Sequence, residues 1–253
     1  MSANGNSVAR RTAERLLLLA VPVAAAAGLG LLVGHLVNEY ALDGRVEQLA
    51  ASNEYTVWTW AASMATFAAA LGAAFIGFAR GRAEPLGLAA LLVFLALDDF
   101  VVIHDPARFW TSSRRAQLGE GTPDALGLRG GVGPGLWTPL YVPLLALVVL
   151  LGWRIARQLG ARERRTIVAG AALLAAGFAL GVVGIATKRL EESGRPTAHF
   201  VRAGLEDATE LAGWILVACG LAAGAVSSAP APRSGGSAPR PMPEARFRRV
   251  PSR

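Results

Sequence analysis

Six apolar runs, each long enough to cross a bilayer as a helix, constrain the fold of this chain most strongly. The runs are Leu16–Val37, Val57–Phe78, Leu86–Ile103, Trp137–Ile155, Thr166–Thr187 and Ala203–Val226. A helix of about 17–25 residues spans the hydrocarbon core of a membrane. Because 53% of the residues are hydrophobic and only 17% are charged, the composition also favours an integral membrane protein. We predict an all-α polytopic membrane bundle of six transmembrane helices.

The distribution of arginine predicts the orientation of this bundle. Arginines precede the first run, lie in every second connection after it, and recur in the C-terminal tail. By contrast, the connection 38–56 holds four acidic residues and one arginine. Short loops rich in Lys and Arg stay in the cytoplasm, so we predict that both termini are cytoplasmic and that the protein lies in the plasma membrane.

The chain divides into a cytoplasmic segment 1–15, a transmembrane domain 16–226, and a basic tail 227–253 that we predict to be disordered. An alternative reading makes residues 1–27 a cleaved signal peptide, but the apolar run continues to Val37, which favours a retained helix. The arginines lie in short loops and tails without interleaved aromatics, so we expect contact with membrane lipids and none with nucleic acid. A homo-oligomer is compatible with the sequence.

Two acidic clusters lie where the third run ends and the sixth begins. The residues concerned are Asp98, Asp99, His104 and Asp105 in the first cluster, and Glu206, Asp207 and Glu210 in the second. A charged side chain in hydrocarbon costs about 2.5–3.5 kcal/mol on insertion scales, so such residues usually face the bundle interior. The predicted topology places both clusters at the outer face, where the loop 106–136 is long enough to be a lid or a slack connector.

The residue types in these clusters favour a metal site. Carboxylates combined with an imidazole suit Zn, Fe or Mn. We predict a divalent transition metal held by Asp99, His104 and Glu210, with the other four acidic residues as further ligands or a general base. The Glu-x-x-His spacing of di-metal carboxylate bundles is absent from the clusters. The pattern therefore indicates a type of site, compatible with a metal-dependent membrane enzyme, and does not specify a reaction.

Two other functions are compatible with the same residues. The acids could serve a proton- or cation-coupled transporter or sensor, although the cytoplasmic halves of the runs are mostly Ala, Leu, Val and Gly. Alternatively the protein is structural, with Glu206 paired to Arg202 four residues earlier and the acids favoured by a helix dipole. His35, at the end of the first run, is expected to be an interfacial polar residue and not a ligand.

Small residues in the fifth run predict close helix packing. Gly177, Gly181 and Gly184 recur at spacings of four and three, which places them on one helix face. Such a face allows another backbone to approach closely.

The stretch from Leu97 to Asp105 resembles a motif of uncharacterised bacterial multi-pass membrane proteins, which pair Leu-Asp-Glu with Ile-His-Glu. In those proteins the last helix often opens with an acidic pair and a further Glu, similar to Glu206, Asp207 and Glu210 here. This chain departs from the motif by having Asp at positions 99, 105 and 207. The resemblance implies a shared site at these residues and no known activity.

Overall fold

Six α-helices and one short 3-10 turn are the regular elements of the described chain. A computed structural model describes residues 3–51, 56–101, 138–191 and 196–228. The helices are α1 (Ala3–Ala41), α2 (Val57–Arg80), α3 (Ala83–Val101), α4 (Thr138–Ala156), α5 (Ala161–Glu191) and α6 (Pro196–Ser228), and the turn is Glu47–Leu49. The predicted all-α class is confirmed for these residues.

Four of the helices contain segments with the length and hydropathy of membrane spans: Ser7–Ala41, Val57–Arg80, Ala161–Gly184 and Ala198–Ser228. In the described part of α4, the apolar segment Val142–Ala156 is shorter than a membrane span. Large apolar side chains also cover the outside of the bundle, as at Leu18, Phe75 and Phe178, which are 75%, 64% and 64% exposed. An exterior of this kind requires an apolar solvent, so the protein is membrane-embedded. Six spans and the direction of the termini stay predictions.

Helix α6 is the centre of the bundle. It packs against α1, α2 and α5, while α3 packs mainly on α2 and α4 mainly on α3. The main core, between α2, α3, α4 and α6, includes Ala69, Ile76, Leu92, Ile155 and Leu221. Small side chains bring the helices close together: Ala20 and Ala24 of α1 are fully buried in a cluster with Leu216 of α6.

Consecutive helices alternate in direction, which gives the bundle two chemically different ends. Arg154 at the end of α4 lies 3.6 Å from Glu84 at the start of α3, and Arg80 at the end of α2 contacts Ser228 at the end of α6. We call this end of the bundle the arginine end. The carboxylates at the end of α3 and in the first turns of α6 lie at the opposite end.

Candidate functional site

The structure brings the acidic end of α3 to the N-terminal half of α6. Asp99 accepts a 2.7 Å hydrogen bond at Oδ2 from Oγ of Ser63, a buried residue of α2. Asp99 also lies within electrostatic range of Asp207 and Glu210 on α6. Asp98, the preceding residue, is buried and Asp99 is half-buried, so the end of α3 carries two carboxyl groups that are largely shielded from the exterior.

Asp207 and Glu210 lie one helical turn apart and are half-buried. Each interacts electrostatically with the other and with Asp99. The indole of Trp214, four residues further along α6, lies near the carboxylate of Glu210. The Ser63 hydroxyl orients Asp99, so that this carboxylate is held by a neutral donor.

Glu206 is held differently, because it forms an ion pair with Arg202 on the same helix. The distance from Arg202 Nη1 to Glu206 Oε2 is 2.6 Å, and the same nitrogen donates to the carbonyl oxygen of Leu180 on α5 at 3.3 Å. The Nη2 atom of Arg202 lies 3.4 Å from Nδ1 of His199. The pairing of Glu206 with Arg202 is the one that the structural interpretation predicts from the sequence.

The glycine face of α5 makes room for this ion pair. A Cβ atom at Gly181 would contact the carboxylate of Glu206, and one at Gly184 would overlap the guanidinium of Arg202. A Cβ at Gly177 would lie 3.0 Å from Oγ1 of Thr209. The close packing predicted for these three glycines is therefore present. They face polar side chains of α6 as well as its backbone.

We use the name carboxylate cluster for Asp98, Asp99, Glu206, Asp207 and Glu210. Among the side chains described around it, Arg202 is the cation that its members contact. If all five carboxyl groups were ionised, they would repel one another in a region of lowered dielectric. Such repulsion is relieved by bound protons or by a bound cation.

The remaining predicted ligands, His104 and Asp105, lie outside the described residues, as do the loop 106–136 and most of the tail 227–253. Within the described ranges, no three His, Cys, Asp or Glu side chains are grouped as a metal site would require. The structure thus brings Asp99 to Asp207 and Glu210 and pairs Glu206 with arginine. The metal itself stays a prediction.

A second polar group, centred on His35, lies at the same end of the bundle. The His35 ring is completely buried inside the bundle, and its interfacial position in the membrane stays a prediction. Its Nδ1 accepts a 3.2 Å hydrogen bond from the backbone N–H of Ala51, and its Nε2 lies 3.0 Å from the carbonyl oxygen of Phe200 on α6. Since Nδ1 accepts, Nε2 carries the proton and donates it to Phe200. Both ring nitrogens are used, so His35 joins three chain segments and is not a ligand.

Neighbouring bonds complete this anchor for the connection between α1 and α2. Asn38 is also fully buried, and its Oδ1 accepts a 2.9 Å hydrogen bond from the backbone N–H of Val46. The indole of Trp58 donates to the carbonyl of Leu49 at 3.1 Å and meets the His35 ring edge-on at 6.4 Å. A signal for this group exists in the sequence, because His35 and Asn38 are three residues apart and therefore share a helix face.

Fold and site together define a polytopic helical membrane protein with half-buried carboxylates at one end of its central helix. The chain belongs to the family described as Domain of unknown function (DUF8692), whose model matches residues 10–224. That range contains every residue of the carboxylate cluster and of the His35 group. No curated protein and no solved structure matches the chain.

Proposed function

We propose that this protein binds a divalent metal ion at the carboxylate cluster, within the outer part of the membrane. The observation that carries the proposal is the approach of Asp99 on α3 to Asp207 and Glu210 on α6. Three acidic groups from two helices are costly there unless something neutralises them. A divalent cation between the helices would do so and would also join them.

The donor set narrows the choice of metal. The described groups supply carboxylate oxygens and the hydroxyl of Ser63, which suit Mg, Ca or Mn. His104, a ligand predicted from the sequence, would add an imidazole and favour Zn, Fe or Mn. Manganese satisfies both sets and is our first candidate, with zinc and iron next. A metal held in this way would also be able to activate water, as in a metal-dependent membrane enzyme.

Metal content tests the proposal directly. Protein purified without chelator should carry about one divalent transition-metal ion per chain by elemental mass spectrometry. Asp99→Asn and Glu210→Gln should each remove most of it, and the double variant should lose little more, because residues that share a site are non-additive. Glu84→Gln is the matched control, since Glu84 lies on α3 at the arginine end and pairs with Arg154.

Wild-type protein without metal, and with a melting temperature that ignores added Mn, Zn or Fe, would contradict the metal site. Proton binding is the second candidate, favoured because no three potential ligands are grouped as a metal site would require among the described residues. In that case Asp99→Asn and Glu210→Gln should alter proton uptake by the purified protein without altering its metal content.

A further inference from the structure

The arginine end of the bundle contains a cavity of about 470 Å³ lined by Arg80, Arg82 and Gln158. Arg80 and Arg82 flank the tight turn between α2 and α3, and Gln158 belongs to the turn between α4 and α5. Gly81 makes the first turn possible with a left-handed conformation (φ 62°), from which the N–H of Arg82 returns to the carbonyl of Gly77 at 3.0 Å. The two arginines are therefore presented by a backbone of defined shape.

Neutral groups hold both guanidiniums in place. Arg80 donates from Nε and Nη2 to the Oγ of Ser228, at 3.1 and 2.8 Å, and Ser228 donates to the carbonyl of Gly224 at 2.6 Å. Arg82 donates from Nη1 to Oε1 of Gln158 at 2.6 Å. These bonds orient the arginines without neutralising their charge.

Two other arginines at this end lie beside carboxylates. Arg10 lies 3.1 Å from Glu14, and Arg154 lies 3.6 Å from Glu84. Among the ion pairs of the described residues, none involves Arg80 or Arg82. Two oriented and uncompensated guanidiniums beside one cavity are a binding site for an anion, and their planar donor pattern suits phosphate.

We propose that this cavity binds the phosphate group of an anionic phospholipid. The surface around it is the reason for choosing a lipid over a free phosphate ion. Phe78 of α2 and Trp153 of α4 lie two and five residues before Arg80 and Gln158 and are 73% and 50% exposed, an apolar surface that suits lipid chains. Basic pockets between helices at the cytoplasmic face are a recurrent form of lipid headgroup site. The proposal is independent of the carboxylate cluster.

The test compares lipids and variants in the detergent-purified full chain, with binding read by native mass spectrometry and thermal stability. Dioleoylphosphatidylglycerol should bind and stabilise the wild type more than dioleoylphosphatidylcholine. The double variant Arg80→Gln with Arg82→Gln should weaken phosphatidylglycerol binding about 30-fold, given the usual contribution of an arginine at a lipid surface. The matched control, Arg10→Gln with Arg154→Gln, removes the same charge from ion-paired arginines and should retain most of the binding.

Equal weakening in the two double variants would overturn the proposal in favour of diffuse attraction to the whole arginine end. Equal binding of the two lipids by the wild type would also overturn it. Inorganic phosphate should neither stabilise the protein nor displace the lipid at millimolar concentration; if it does both, the ligand is free phosphate. Should the double variant fail to fold, the single variants Arg82→Gln and Arg154→Gln, both at exposed residues, are compared in the same way. Arg82→Gln should weaken phosphatidylglycerol binding more than Arg154→Gln.

Discussion

At the scale of single residues, two polar groups at one end of the bundle have opposite characters. The His35 group is internally satisfied, because each ring nitrogen of His35 has a backbone partner. The carboxylate cluster carries more acid than the described side chains around it can neutralise. This difference separates a structural anchor from a candidate site, although both consist of buried polar residues in a membrane helix bundle.

The anchoring role of His35 predicts a loss of stability on truncation. His35→Ala would leave the N–H of Ala51 and the carbonyl of Phe200 buried without their partner, at about 1–3 kcal/mol for each such group. We expect a total loss of at least about 2 kcal/mol in the free energy of unfolding, measured by titration with SDS from mixed micelles. His199→Ala, at a partly exposed ring on α6, is the control and should cost clearly less. Equal losses would contradict the anchoring role.

At the scale of elements, α6 combines the two requirements of a central membrane helix. Its buried apolar residues, including Leu211, Leu216 and Leu221, fill the core, while its first turns carry the charged residues of the site. The glycines of α5 make this combination possible, since larger residues would exclude the Arg202–Glu206 pair. Helix packing and site geometry therefore depend on the same interface.

A glycine that faces backbone atoms across that interface provides a prediction. A Cβ atom at Gly170 of α5 would lie 2.6 Å from the carbonyl oxygen of Gly213 on α6, a backbone atom that cannot move alone. Gly170→Ala should therefore destabilise the protein by about 1–3 kcal/mol through overpacking. Gly30→Ala on α1 is the control, because among the described residues nothing beyond its own stretch of helix lies within 4 Å of the added Cβ. Alanine also favours a helix over glycine by up to about 1 kcal/mol. Thermal unfolding in detergent should show a lower midpoint only for Gly170→Ala.

At the scale of the whole molecule, the bundle has an arginine end and a carboxylate end. The positive-inside rule predicts that the first lies in the cytoplasm, in which case the proposed metal site would face outward and the proposed lipid site inward. Because the two proposed sites lie at opposite ends of the bundle, they are experimentally separable.

This orientation predicts the accessibility of single cysteines. In a Cys219→Ala background, Gln48→Cys in the connection between α1 and α2 should react with a membrane-impermeant thiol reagent added to intact cells. Gly160→Cys, in the connection between α4 and α5, should react only after the membrane is permeabilised. The reverse pattern would invert the topology and move the carboxylate cluster to the cytoplasm.

The sequence by itself determined the class of the protein and the positions of its main helices, because long apolar runs and alternating arginines act locally. The start of α2 at Val57 and the grouping of arginines at one end follow from such patterns. Only the tertiary structure decided which polar residues meet. Helical angles within α6 could not reveal that Glu206 packs against the glycines of α5 while Asp207 and Glu210 approach Asp99. Nor could the sequence show that both ring nitrogens of His35 are hydrogen-bonded, one to Ala51 and the other to Phe200. Those contacts depend on how separate helices rotate and approach each other, which periodicity within a single helix does not specify.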